Sequence, residues 1–191
     1  MTTLIAGLVL FLGMHSIAIV APALRDRLAA RAGGLPWKLV YAVVSIIGYV
    51  LIVRGYAEAR LTPELLYSLP GWTRHLLATL MLPVFPLLFA AYLPGRIKVL
   101  AGGHPMLVAT KLWALAHLLG TTTVADAVLF GSILAWAVAD FVSARRRAPR
   151  AIPSAPASRW NDAIAVVLGL VAYGAFAGHL HLRWIGVAPF G

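Results

Sequence analysis

HPMLVATKLWALAHLLG, residues 104–120, decides how this chain is read. It is apolar enough to be taken as a helix crossing a lipid bilayer, yet it carries His104, Lys111 and His117, for which a helix facing lipid on every side has no use. Ionisable side chains within membrane spans are costly and turn toward a bundle interior, a partner or a functional site. On a helix, His104 and Lys111 are seven apart and share a face, while His117 aligns with Trp113 and Thr110. Two polar stripes on one span place that span centrally, among other helices.

The rest of the sequence supplies those helices. Of 191 residues, 61% are hydrophobic and 12% charged, a composition that belongs to membrane proteins. Apolar runs at about 3–21, 37–56, 75–93, 105–121, 123–143 and 162–182 each approach the roughly 20 residues that a hydrocarbon core of about 30 Å requires. The expected fold is therefore all-α, a polytopic integral membrane bundle of six transmembrane helices forming a single domain over residues 1–191. Most prolines fall in the connections, whereas Pro83 and Pro86 lie inside the third run and predict a kink there. Gly174 and Gly178, four apart, predict a close helix contact in the last run.

Charge orients the bundle. The net charge of +10 could suggest nucleic acid, but the cations collect in alternate connections, so no nucleic-acid partner is expected and membrane lipid is. Arg25, Arg27, Arg31 and Lys38 follow the first run. Arg96 and Lys98 follow the third, and Arg145, Arg146, Arg147, Arg150 and Arg159 follow the fifth, in an arginine-rich loop at about 144–160. The positive-inside rule makes these connections cytoplasmic and turns both termini outward. The first run has its arginines after it rather than before it, which reads as a retained helix and not a signal peptide. There is no cysteine, so any metal must be held by His, carboxylate or Met.

Among the ionisable residues within runs, His15 sits in FLGMHSIAI, where it is either an axial metal or haem ligand or a histidine hydrogen-bonded across helices. Lys111 could pair with Asp140, hold a haem propionate together with Arg25 or Arg96, or extend its ammonium to the interface. Asp126, beside TTT, reads as a helix cap. His179 and His181 lie two apart near the end of the last run, on different helix faces, and read as interfacial and solvated.

FLGMHS (11–16), KLVYAVVSIIGYVLIVRGY (38–56), HPMLVATKLWALAHLL (104–119) and LAWAVADFVS (134–143) together resemble the NnrU family of bacterial membrane proteins. The likeness covers most of the chain and fades in the arginine-rich loop and the last helix. It implies residence in the bacterial inner membrane and an association with nitrite and nitric oxide reduction in denitrification. NnrU proteins are in turn similar to 15-cis-zeta-carotene isomerase, a membrane enzyme that binds haem b. In that isomerase, reduction of the iron frees a ligand and permits isomerisation of a carotenoid double bond.

What the resemblance implies here is a haem b site with His15 and His117 as metal ligands, His104 in reserve and Lys111 as a further cofactor-binding residue. His15 corresponds to the histidine of the isomerase's early AHS motif, His117 to that closing its WCLAH motif, and His104 to that of its HP motif. The cysteine of WCLAH corresponds to Ala114, so a switch from histidine to cysteine ligation is unavailable to this chain. Helical rise puts His15 about 9 Å from the inner end of its helix and His117 about 20 Å above His104, which makes His15 with His104 the competing pair. Implied roles are redox or isomerase-like chemistry on an apolar polyene, an accessory role toward denitrification reductase subunits, or, less directly, a small transporter using Lys111 and Asp140.

Overall fold

The computed structural model describes residues 1–147 and 152–190. Pro149 and Arg150 of the expected arginine-rich loop lie outside the described residues. All regular structure among the described residues is helical apart from one isolated bridge, Leu65 with Thr123. Five helical stretches are long and apolar enough to cross a membrane: Thr2–Val20, Gly34–Ala59, Thr73–Ala90, Val124–Ala144 and Asn161–Ile185. The fourth expected span is the shorter apolar helix Pro105–Leu119. The chain is thus an all-helical polytopic membrane protein with five helices long enough to span a membrane and one shorter apolar helix, where six transmembrane helices were expected. The chain divides into two compact units, one of Met1–Tyr67 with Thr122–Ser143, the other of Ser68–Thr121 with Ala144–Gly191.

In the first unit, α1 (Thr2–Val20) and α3 (Gly34–Ala59) run antiparallel and touch backbone to backbone. Glycine makes this possible. A Cβ on Gly7 would fall 2.5 Å from the Ile52 nitrogen, one on Gly48 would fall 2.7 Å from the Phe11 nitrogen, and one on Gly55 would strike Leu4. Leu4, Gly7, Leu8, Gly48, Ile52 and Gly55 are buried along this seam, while Val9, Val43, Ile46 and Val53 point outward, as lipid-facing side chains do when the solvent is hydrocarbon.

The connection between them was expected as a cationic loop. Instead, α2 (Pro22–Ala32) is an eleven-residue helix with no buried residue. Its Ala, Leu and Arg content has high helix propensity, Pro22 occupies the first helical position, and Gly33 ends it at φ 85, a left-handed angle that glycine takes without strain.

The last helix of the unit, α8 (Val124–Ala144), begins in a reciprocal cap. Asp126 accepts from the Thr123 nitrogen at 3.1 Å, and the Thr123 hydroxyl accepts from the Asp126 nitrogen at 3.2 Å, a capping-box arrangement in which Thr123 caps the helix and Asp126, expected as the cap, reaches back from its first turn. Backbone bonds from Leu66 to Thr122 and from Val124 to Glu64 tie the connection after α3 to this start.

In the second unit, the third expected run breaks where its prolines predict. Helix α4 (Thr73–Met81) stops, Pro83 leads α5 (Val84–Ala90), and the Leu82 nitrogen turns back to Thr79. The Ala78 carbonyl left at this break accepts from the Tyr173 hydroxyl at 2.9 Å, so the kink carries its own replacement partner, as hydrocarbon surroundings demand.

Pro86 then lies against Gly169 of α9 (Asn161–Ala175), where any Cβ would strike the proline ring. The expected close contacts at Gly174 and Gly178 are not made, since a Cβ on either meets nothing within 4 Å. Spacing by four shows only that two glycines share a face, not which face packs.

The short α6 (Arg96–Leu100) is fixed to the start of α9 by two side chains. Asp162 accepts from the backbone nitrogens of Arg96 and Ile97 at 2.8 and 3.0 Å, and buried Asn161 donates to the carbonyls of Pro94 and Pro156 at 2.8 and 3.1 Å. Val84, Leu87, Ala101 and Ala109 form the core, with α7 (Pro105–Leu119) packed on α4 and α5. The quoted stretch that sets the reading of the chain is therefore central to its unit, as its two polar stripes require.

Candidate functional site

In the first unit, His15 is the centre of an aromatic niche. Its Nδ1 lies 2.7 Å from the Phe11 carbonyl oxygen. A carbonyl can only accept, so Nδ1 carries the proton and the lone pair of the neutral ring resides on Nε2. Rings surround it: Phe11 at 4.3 Å, Tyr41 edge-on at 5.1 Å, and Trp136 of α8 edge-on at 5.8 Å, nearly perpendicular.

Helical register makes this grouping. The α1–α3 seam that pairs Leu4 with Gly55 and Phe11 with Gly48 continues along the α3 face that carries Ser45 to Tyr41, whose ring meets His15. The Trp136 indole nitrogen and the Ser45 hydroxyl are buried there without a hydrogen-bond partner. Buried polar atoms of native proteins are nearly always paired, so two unpaired ones beside a histidine distinguish this niche from ordinary packing.

A separate polar cluster closes the other end of the unit. The Tyr56 hydroxyl donates to Asp126 at 2.5 Å, Arg60 lies 5.8 Å from the Tyr56 ring centre, and Thr3 donates to Glu58 at 2.9 Å. These contacts join helix ends and carry no ligand-binding feature.

In the second unit, His117 repeats the arrangement of His15. Its Nδ1 donates to the Trp113 carbonyl at 2.8 Å, its own carbonyl accepts from the Thr121 hydroxyl at 3.2 Å, and its ring lies 5.0 Å from the Trp113 ring. The residue brought to it is His181, whose ring centre is 6.5 Å away with the two ring planes 23° apart. His181 also anchors Nδ1 on a carbonyl, that of Val187, at 2.7 Å, and the Phe176 ring stands perpendicular to it at 5.6 Å.

His181 was expected as a solvated interfacial residue, and it lies half-exposed near the end of the last helix. What spacing did not foretell is its neighbour. Residues Phe176–Leu180 form a π-helical turn, which inserts an extra residue and rotates everything after it. The period of the sequence carries no sign of that turn.

The other sequence-derived residues fall elsewhere. His104 is the N-cap residue of α7 and half-buried, at the opposite end of that helix from His117, so the two are about 20 Å apart. Lys111 is half-buried in mid-helix. Ala114 is fully buried. His15 and Asp140 belong to the first unit, and His104, Lys111 and His117 to the second. Among the described residues there is no group of three or more His, Asp or Glu placed to hold a bare metal ion.

A family model described as NnrU protein matches residues 3–189. No curated protein and no solved structure matches the chain.

Proposed function

The chain belongs to the NnrU family, and from that premise we propose that it is a haem b-binding protein of the bacterial inner membrane with a redox or isomerase-like role on an apolar substrate. The observation that carries the proposal is the state of its histidines. His15 and His117 each donate Nδ1–H to the carbonyl four residues earlier, the outer-shell bond that fixes the tautomer of metal-ligating histidines and raises the basicity of Nε2. Neither ring needs to reorganise to offer that nitrogen to iron. Aromatic rings lie against each, and the unpaired Trp136 N–H offers a donor to a polar group of a ligand at the His15 niche. Bound haem supplies a one-electron redox centre, tuned by axial ligand and burial.

The distribution of lysine and arginine supports cytoplasmic placement of the connections after the first, third and fifth spans, with both termini outward. The resemblance supports a place in nitrite and nitric oxide reduction, with reductase subunits or an apolar polyene as partners. Absorption spectra of the detergent-solubilised protein supplied with haem, oxidised and reduced, test the reading: a Soret band that weakens in His15→Ala or His117→Ala is expected. No Soret band overturns it. Co-purification with a reductase subunit in that case assigns the chain to a non-catalytic accessory role.

A further inference from the structure

We propose that the groove between α5 and α9 holds an acyl chain of an anionic phospholipid, with Arg159 on the phosphate of its headgroup. The site lies wholly within the second unit and is independent of the haem reading. It arises from the way the connection into α9 is fastened. Asn161 donates to the carbonyls of Pro94 and Pro156, and the Ala155 nitrogen donates to the Tyr92 carbonyl at 2.8 Å. These bonds lay the segment before α9 against the end of the third span and leave a groove of about 530 Å³, within the roughly 300–1,000 Å³ usual for ligand sites.

The lining selects an apolar occupant. Phe89 and Leu93 stand on the α5 side, Ile164 and Leu168 on α9, and the polar side chains of the lining are only the hydroxyls of Tyr92 and Ser154. Ile164 and Leu168 are exposed on a helix long enough to cross a membrane, so a lipid chain reaches the groove sideways from the bilayer.

Charge selects the headgroup. The Ile164 nitrogen bonds to the Trp160 carbonyl at 2.9 Å, so Trp160 continues the line of Ile164 and Leu168 one turn further, about 6 Å along the helix. The Arg159 guanidinium lies 5.0 Å from the centre of the exposed Trp160 ring, an aromatic of the kind that sits at headgroup depth. Asp162 holds Arg96 at the same end by accepting from its backbone nitrogen, and its other oxygen accepts from the Ile97 nitrogen. Lys98 donates to the Ala91 carbonyl at 3.1 Å. Arg96 and Arg159 are both exposed. A basic end on an apolar groove complements an anionic headgroup above its own acyl chain, whereas a zwitterionic lipid brings an ammonium toward the same arginines.

The test is native mass spectrometry of the full-length, delipidated protein in detergent, titrated with dioleoyl phosphatidylglycerol or dioleoyl phosphatidylcholine. Wild type is expected to retain phosphatidylglycerol at concentrations that leave phosphatidylcholine unbound. Arg159→Gln is expected to weaken phosphatidylglycerol roughly fivefold, the effect of one cation near a lipid surface, and to leave phosphatidylcholine unchanged. Leu168→Trp, which fills the groove, is expected to abolish retention, while Leu170→Trp, exposed on another face of α9, is expected to match wild type. Arg159 is exposed, so its variant keeps the test decisive even where Leu168→Trp fails to fold. Equal retention of the two lipids by wild type overturns the headgroup assignment and leaves an apolar occupant without an anionic end. Phosphatidylglycerol retention unchanged in Arg159→Gln, or its displacement by glycerol 3-phosphate, which has no acyl chain, also overturns the proposal.

Discussion

Tyr56 and Asp126 are separated by 70 positions in sequence and joined by a bond of 2.5 Å. A hydrogen bond to an ionised group contributes about 1.5–3 kcal/mol where buried, and this one is only partly buried, so Tyr56→Phe is expected to cost about 1–2 kcal/mol. Thermal unfolding in detergent should show a midpoint lowered by roughly 2–6 °C. Trp136→Phe is expected to behave differently, because it removes an N–H that has no partner. Relief of an unpaired donor, about 1–3 kcal/mol, offsets lost ring packing, and the midpoint should stay within about 3 °C of wild type; a larger fall would show that the indole N–H is paired in the folded protein. At this scale the sequence was legible wherever chemistry is local. Asp126 beside TTT read as a cap, and His15 and His117 stood out because imidazole is rare in apolar runs. Tyr56 and Trp136 did not stand out, since each matters through a partner brought from a distant helix; His181 was visible as a histidine but its neighbour His117 was not, because the π-helical turn before it leaves no period behind.

Helix pairing is decided by which glycine faces a backbone, and that gives a sharper experiment than counting small residues. Gly48→Val places a side chain where even a Cβ would sit 2.7 Å from the Phe11 nitrogen. Backbone cannot step aside as a flexible side chain does, so the substitution should cost at least the 1–3 kcal/mol typical of overpacking and separate α1 from α3. Gly13→Val on the partner helix α1 meets nothing within 4 Å and should leave the thermal midpoint nearly unchanged. Measuring both in one detergent separates helix packing from helix propensity, which the two substitutions share. The positions of the spans followed from hydrophobicity to within a few residues, and the break at Pro83 followed from proline chemistry. What did not follow was contact: Gly174 and Gly178 have the right spacing and face open space, whereas Gly169 and Gly48 do the packing. The cationic α2 was missed for a related reason, because hydropathy marks where a helix enters lipid and is silent about helices outside it.

For the whole molecule, the deciding element is again α7. Its 15 residues span about 22 Å, less than a hydrocarbon core of about 30 Å. A short helix can still complete a crossing when neighbours shield its ends, and α4 and α5 both pack on it, while the Thr121 hydroxyl caps the His117 carbonyl at its far end. If it crosses, six crossings return the chain to its starting side and both termini share a compartment. If it does not, five crossings leave them on opposite sides. The absence of cysteine makes this directly measurable with single introduced cysteines and a membrane-impermeant maleimide in intact cells. Thr2→Cys and Phe190→Cys are expected to label from outside. Leu100→Cys, exposed in the cationic connection after the third span, is expected to label only after the membrane is opened. Leu100 reports three crossings in either topology, so it controls for orientation alone, and the agreement or disagreement of Thr2 with Phe190 isolates α7. Labelling of those two from opposite sides would make α7 a re-entrant helix and move His117 toward the surface at which the chain turns back, with direct consequences for how an apolar substrate reaches it.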